Sequence, residues 1–155
     1  MTYRIEGLAP AQFAALFGMS DAELATRNAL RVTADSPRGY PCRVTLEDAA
    51  PGERMILLNH VSHDVPTPFR MAYAIYVRDG ATQAACFEDE TLPLLDSRTL
   101  GLRGFDGEGM LKGALLALPG EADTKIRELL DRPEIATIHA HNAAYGCFLA
   151  RIERN

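Results

Sequence analysis

The sequence predicts an α+β fold with a mostly antiparallel sheet, with curling into a partial barrel as a variant. Three observations predict it. Short apolar segments recur at roughly 8–12-residue spacing, separated by turn residues. Two short helix signatures open the chain, at Pro10 and at Ser20. One longer helical stripe precedes a closing hairpin. Helices that do not alternate regularly with strands favour α+β over a parallel α/β arrangement.

Residues 2–7 fit a short strand. Pro10 opens a helix at the position where a missing N–H has no consequence. Phe13, Leu16 and Phe17 form its apolar stripe, and Gly18 stops it. Ser20-Asp21-Ala22-Glu23 has capping-box spacing, so a second helix runs to about Asn28. Residues 29–34 fit a strand, and 35–41 form a loop punctuated by Pro37, Gly39 and Pro41. Residues 42–47 alternate and read as a strand, followed by a turn at 50–53. Residues 54–60 form an apolar strand, and 61–68 a loop holding His63 and two prolines. Residues 69–78 alternate again, with β-favouring Tyr73, Ile75, Tyr76 and Val77. Asp79-Gly80 is a hairpin signal, and 82–87 is expected to pair back. Segments 99–105 and 109–117 flank a turn at 106–108. Residues 122–131 form the best helix, with Ile126, Leu129 and Leu130 inward and Pro133 ending it.

The last segment carries most of the candidate chemistry. Residues 134–141 read as a strand with Ile135, Thr137, His139 and His141 on one face. Residues 142–146 read as a hairpin connection, with Asn142 and Gly146 supplying unusual dihedrals. Residues 147–153 return, with Cys147, Leu149, Arg151 and Glu153 on one face. This brings Cys147 close to His141, in a register that alternation alone does not fix.

Length and composition set the bounds. A chain of 155 residues is expected to form one domain over 1–155 and to bury about two-thirds of its unfolded surface. With 47% hydrophobic and 24% charged residues it has ordinary globular composition. A net charge of -5 and no basic block argue against a general nucleic-acid binder. No apolar run approaches the roughly 20 residues of a membrane helix, and residues 1–6 lack the apolar core of a signal peptide. Three cysteines, an odd number spread far apart, suggest free thiols in a reducing cytoplasm, with no Cys42–Cys147 disulfide. Homo-oligomerisation stays open.

Three kinds of site are weighed. A metal site could use His139 and His141 from one strand face, with His60, His63, Cys42 or Cys147 as further ligands. No C-x-x-C or H-E-x-x-H spacing supports it. No cofactor is therefore expected, with a divalent transition metal as the alternative. A thiol site could combine Cys147 with His141 and Asn142, and Cys42 is an equal contender. Both cysteines also fit as small buried hydrophobes. An anion site could use Arg43, Arg98, Arg103 and Arg151, against which stand the acidic partners Glu47, Asp48, Glu53, Asp96 and Asp106. Glycines 101, 104, 107 and 109 lack the strand-to-helix context of a phosphate loop.

The motifs Gly39-Tyr40-Pro41-Cys42-Arg43-Val44-Thr45-Leu46-Glu47-Asp48-Ala49-Ala50-Pro51-Gly52-Glu53 and His139-Ala140-His141-Asn142-Ala143-Ala144-Tyr145-Gly146-Cys147 resemble the DUF1203 family, a domain of unknown function. The segment from Ser97-Arg98 to Arg103-Gly104-Phe105-Asp106 fits it too. The resemblance covers nearly the whole chain and implies a one-domain bacterial protein. It transfers no activity, catalytic residue or cofactor. The leading expectation is therefore a domain that binds a small molecule or anion in a cleft lined by His139, His141, Arg43 and Arg103. The alternative is a metal-assisted or cysteine-dependent enzyme.

Overall fold

The computed structural model describes residues 1–155. Nine strands form: β1 (Tyr3–Glu6), β2 (Leu30–Thr33), β3 (Arg54–His63), β4 (Met71–Arg78), β5 (Cys86–Glu88), β6 (Leu100–Phe105), β7 (Leu111–Ala117), β8 (Thr137–Asn142) and β9 (Phe148–Arg154). Four α-helices accompany them: α1 (Ala14–Phe17), α2 (Asp21–Ala25), α3 (Pro93–Asp96) and α4 (Ala122–Leu130). The fold is α+β, and its sheets are mostly antiparallel. Neither sheet closes into a barrel: the larger stays open, in the order β5-β1-β9-β8-β6-β7. No helix is long and apolar enough to cross a membrane.

The chain divides into two compact units. One comprises Met1–Glu6, Val61–Tyr73 and Cys86–Asn155, and holds the six-stranded sheet. The other comprises Gly7–His60 and Ala74–Ala85. In this second unit the capping box forms as the spacing predicts. Glu23 N–H donates to Ser20 Oγ at 3.2 Å, and Ser20 N–H donates to Glu23 Oε2 at 2.7 Å. Phe13, Leu16 and Leu24 then join Val44, Met55, Ile56, Ile75 and Val77 in its core. Each fully buried side chain of this size contributes about 1.5–3 kcal/mol.

Four segments differ from expectation. Residues 42–47 are a tight turn and not a strand. Cys42 N–H donates to Glu47 O and Leu46 N–H to Cys42 O, each at 2.9 Å, and Leu46 takes φ 53°. Alternation fails there because Cys42, Arg43, Val44 and Leu46 are all buried. The segment at 82–87 does not pair back onto β4. Its end, β5, instead pairs with β1 through Glu6↔Cys86, Ile5↔Phe87 and Arg4↔Glu88, because a free sheet edge competes with the local hairpin. β3 continues through Val61 and Ser62 to His63, so His63 is a strand residue; the prolines that stop the strand come only at 66 and 68. The helix α3 opens at Pro93 and buries Leu94 and Leu95; its four residues gave no readable periodicity.

The six-stranded sheet has two unlike faces. Side chains of register partners share a face. Gly113, Gly104, Ile138 and Ile152 align on one, as do Leu115, Leu102, Ala140 and Ala150. This face meets α4: Gly113 lies against Leu129, and Tyr3 O–H donates to Asp123 at 2.7 Å. Ile126, Leu129 and Leu130 are the buried stripe of that helix, as its spacing predicts. The opposite face carries the histidines.

Candidate functional site

The second face is built in rows. Arg103, His139 and Arg151 are register partners across β6, β8 and β9, and the row ends on Glu6 in β1. The next row joins Phe105, Thr137 and Glu153, and the third joins Gly101, His141 and Phe148. Strand alternation alone places Arg103 beside Phe105 and His139 between Thr137 and His141. It misplaces Phe148. A bulge between Ala140 and His141 makes Leu149 the extra residue, so that Phe148 and not Cys147 stands opposite His141. The register that alternation left open is thus set with Phe148 opposite His141, while Cys147 O accepts from the N–H of Asn142, the next residue along β8.

The turn that precedes it forms as expected. Gly146 takes φ 78°, its N–H donates to Asn142 O at 2.8 Å, and Asn142 N–H donates to Cys147 O at 2.9 Å. Asn142 Oδ1 accepts from the N–H of Ala144 and of Tyr145, so it fixes the entry to the turn. His141 is fully buried, and its Nδ1–H donates to Gly146 O at 2.9 Å. Asn142 and His141 thus hold the hairpin. Gly146→Val should lower stability by about 1–2 kcal/mol, because a β-branched residue is strained at positive φ. Ala144→Ser should leave it unchanged. Thermal melting of the two variants checks this; equal melting temperatures would contradict it.

His139 sits at the centre of the face and is 2% exposed. Its ring meets those of His63, Phe105 and Phe148 edge-on or tilted, with centroids 5.0, 5.1 and 5.2 Å away. His141 lies at 6.4 Å. Burial pushes the His139 pKa down to about 3, and the positive electrostatics of His63, His141, Arg151 and Arg103 add to the effect. The ring is therefore neutral at physiological pH. Its Nδ1 is buried and has no hydrogen-bond partner within the chain.

His63 closes over this row from the end of β3. Its Nε2–H donates to Gly109 O at 3.0 Å, and Thr67 Oγ1–H reaches the same carbonyl at 3.3 Å. That carbonyl is aimed by the turn between β6 and β7. Asp106 Oδ1 accepts there from Glu108 N–H and Met110 N–H, each at 2.9 Å. Gly109 takes φ 85° with Val65 packed where a side chain would stand. Between these parts lies a cleft of about 420 Å³, lined by His63, Asp64, Asp106, Thr137, His139, Arg151 and Glu153 among others. Arg151 pairs with Glu153 at its rim.

The structure therefore brings His139 together with His63 and Arg151, the last already singled out with the arginines. His141 packs beneath, on its turn. Arg103 borders a neighbouring pocket. Arg43, Cys42 and His60 belong to the other unit. There Arg43 is 1% exposed and its Nη1–H donates to Pro41 O at 2.6 Å. The buried thiol of Cys42 accepts from Thr45 N–H and Arg78 N–H, and so acts as a small structural acceptor. His60 packs on Phe13 with ring centroids 5.8 Å apart; burial, then the charge of Arg43, lowers its pKa. All three cysteines are free. No group of three or more His, Cys, Asp or Glu side chains is gathered to hold a metal ion. Phe105, Phe148 and Thr137 escaped the sequence reading as site residues. Alternation could have supplied Phe105 and Thr137, but nothing local signals the bulge that delivers Phe148.

No curated protein and no solved structure matches this chain. The family described as "Protein of unknown function (DUF1203)" matches residues 39–154, about three-quarters of its length. That stretch contains the histidine rows, the turn that holds them and the motifs at 39–53 and 139–147, and the chain belongs to the DUF1203 family.

Proposed function

We propose that this protein binds a small polar molecule carrying an anionic group in the cleft beneath His63, with His139 as the recognition group. One observation carries the reading: His139 lines the cleft, and its Nδ1 is buried with no hydrogen-bond partner in the chain. A buried polar atom left so costs about 1–3 kcal/mol, which a ligand hydrogen bond recovers. The neutral ring can accept or donate without a change of charge. Arg151, next to it in the same row, brings positive charge to the anionic end, shared with its partner Glu153. With its pKa held down, His139 is a weak base at neutral pH, which favours binding over proton transfer. Three free thiols fit a cytoplasmic location.

A ligand-observed NMR screen of small carboxylates and phosphates, run on the wild type and on His139→Phe, tests this. The phenyl ring fills the same space without polar atoms. Hits are expected to lose at least about tenfold in affinity in the variant, the equivalent of one good hydrogen bond. Hits that bind both proteins equally would defeat the reading, as would a screen with none.

A further inference from the structure

We infer that a second pocket on the same sheet face binds an apolar monocarboxylate, seated on Arg103. The pocket is about 260 Å³ and is lined by Pro68, Phe69, Met71, Phe105 and Leu111 around the Arg103 side chain. Its walls are thus aromatic and aliphatic, with two cations among them, Arg103 and Arg70. The Arg103 guanidinium has a single hydrogen bond, from Nη1 to Met71 Sδ at 3.3 Å, and a thioether is a weak acceptor.

No carboxylate lies within ion-pair distance of Arg103. Arg31, Arg70, Arg78, Arg127, Arg132 and Arg151 each have one. The neighbouring Arg70 is drawn away to Asp64 at 3.1 Å. His139, its register partner, contributes no negative charge. Arg103 is a partly buried cation whose donors are almost all unanswered by the chain. A carboxylate answers two of them at once, in the planar fork geometry that guanidinium favours. The apolar walls select what the carboxylate carries: one ring or a short branched chain fits within the volume. A phosphate would bring more charge than Arg103 can match, because Arg70, the other arginine of the lining, is already paired with Asp64.

This pocket is separate from the His139 cleft. Phe105 is the wall between them: it lines the pocket, and its ring lies against His63 at 4.0 Å and His139 at 5.1 Å between centroids. The inference therefore stands without the proposed function.

The probe is 3-phenylpropionate, compared with 3-phenylpropanamide, titrated into the full chain by calorimetry and followed by backbone amide NMR. The acid is expected to bind with shifts at residues 69–71 and 103–105, and the amide at least about tenfold more weakly, since it lacks the charge for the fork. Arg103→Met should abolish acid binding with an unchanged melting temperature, and His139→Phe should retain it. Equal binding of acid and amide, undiminished binding to Arg103→Met, or no binding up to about 10 mM would overturn the inference. Binding lost in His139→Phe but kept in Arg103→Met would overturn it too, and would place the carboxylate in the other cleft.

Discussion

Acidification from neutral pH towards pH 3 is expected to remove up to about 5 kcal/mol of stability through His139 alone. The sign follows from the direction of its shift. In the unfolded chain the imidazole titrates near its ordinary 6.5, while in the folded sheet it titrates at about 3. Between those values the unfolded state takes up a proton that the folded state refuses. The stability is therefore complete above about pH 6.5, falls through the window, and levels off below about pH 3. The physical cause is first burial under His63 and the phenyl rings, then the positive electrostatics of His63 and His141, and last those of Arg151 and Arg103. His60 is shifted in the same direction and adds to the loss. Urea unfolding at pH 7, 5 and 4 measures it. His139→Phe, which cannot be protonated, should show a much shallower fall. Parallel falls in the two proteins would mean that the ring is already open to water.

Gly7→Ala is expected to destabilise by more than about 3 kcal/mol, enough to lose soluble protein. A methyl at Gly7 would stand 2.0 Å from Val44 O and 2.9 Å from its carbon. Backbone cannot yield there, because three segments are laced together around that point. Gly7 N–H donates to Ala85 O at 2.9 Å, Leu8 N–H to Arg43 O at 2.8 Å, and Ala85 N–H to Val44 O at 2.9 Å. The tight turn at 42–47 owes its position to these bonds. Gly18→Ala is the control. Nothing lies within 4 Å of a methyl there, and its φ of -90° suits any residue. It should be neutral or slightly stabilising. Soluble yield and melting temperature separate the two; a soluble Gly7→Ala melting with the wild type would contradict the packing described.

Where a signal is local, the sequence reads well. The Ser20 capping box, the stripe of α4, the turn before β7 and the Asn142–Gly146 reversal each rest on side chains a few residues apart. Where the outcome depends on distant partners, it does not. Nothing near Cys86 says that β1 will capture it, and nothing near Cys42 says that Gly7 and Ala85 will close on a turn. The site divides the same way. Alternation puts His139 and His141 on one face, but covering that face took His63 from a strand that runs three residues further than its composition suggests. The bulge at Leu149 is a register event, and it sets Phe148 opposite His141. Arg43 and Arg103 looked equivalent as strand arginines. One is bonded inside its own unit, and the other borders an apolar pocket.

The central claim is that His139 presents a neutral, buried ring to a ligand cleft. The most direct test follows the imidazole nitrogen resonances of His139 from about pH 7 to about pH 4, with and without the strongest small-molecule hit. The account predicts a ring that stays neutral throughout and whose nitrogens move when the ligand is added. A ring that titrates near its ordinary value, or that ligand leaves unmoved, would contradict it.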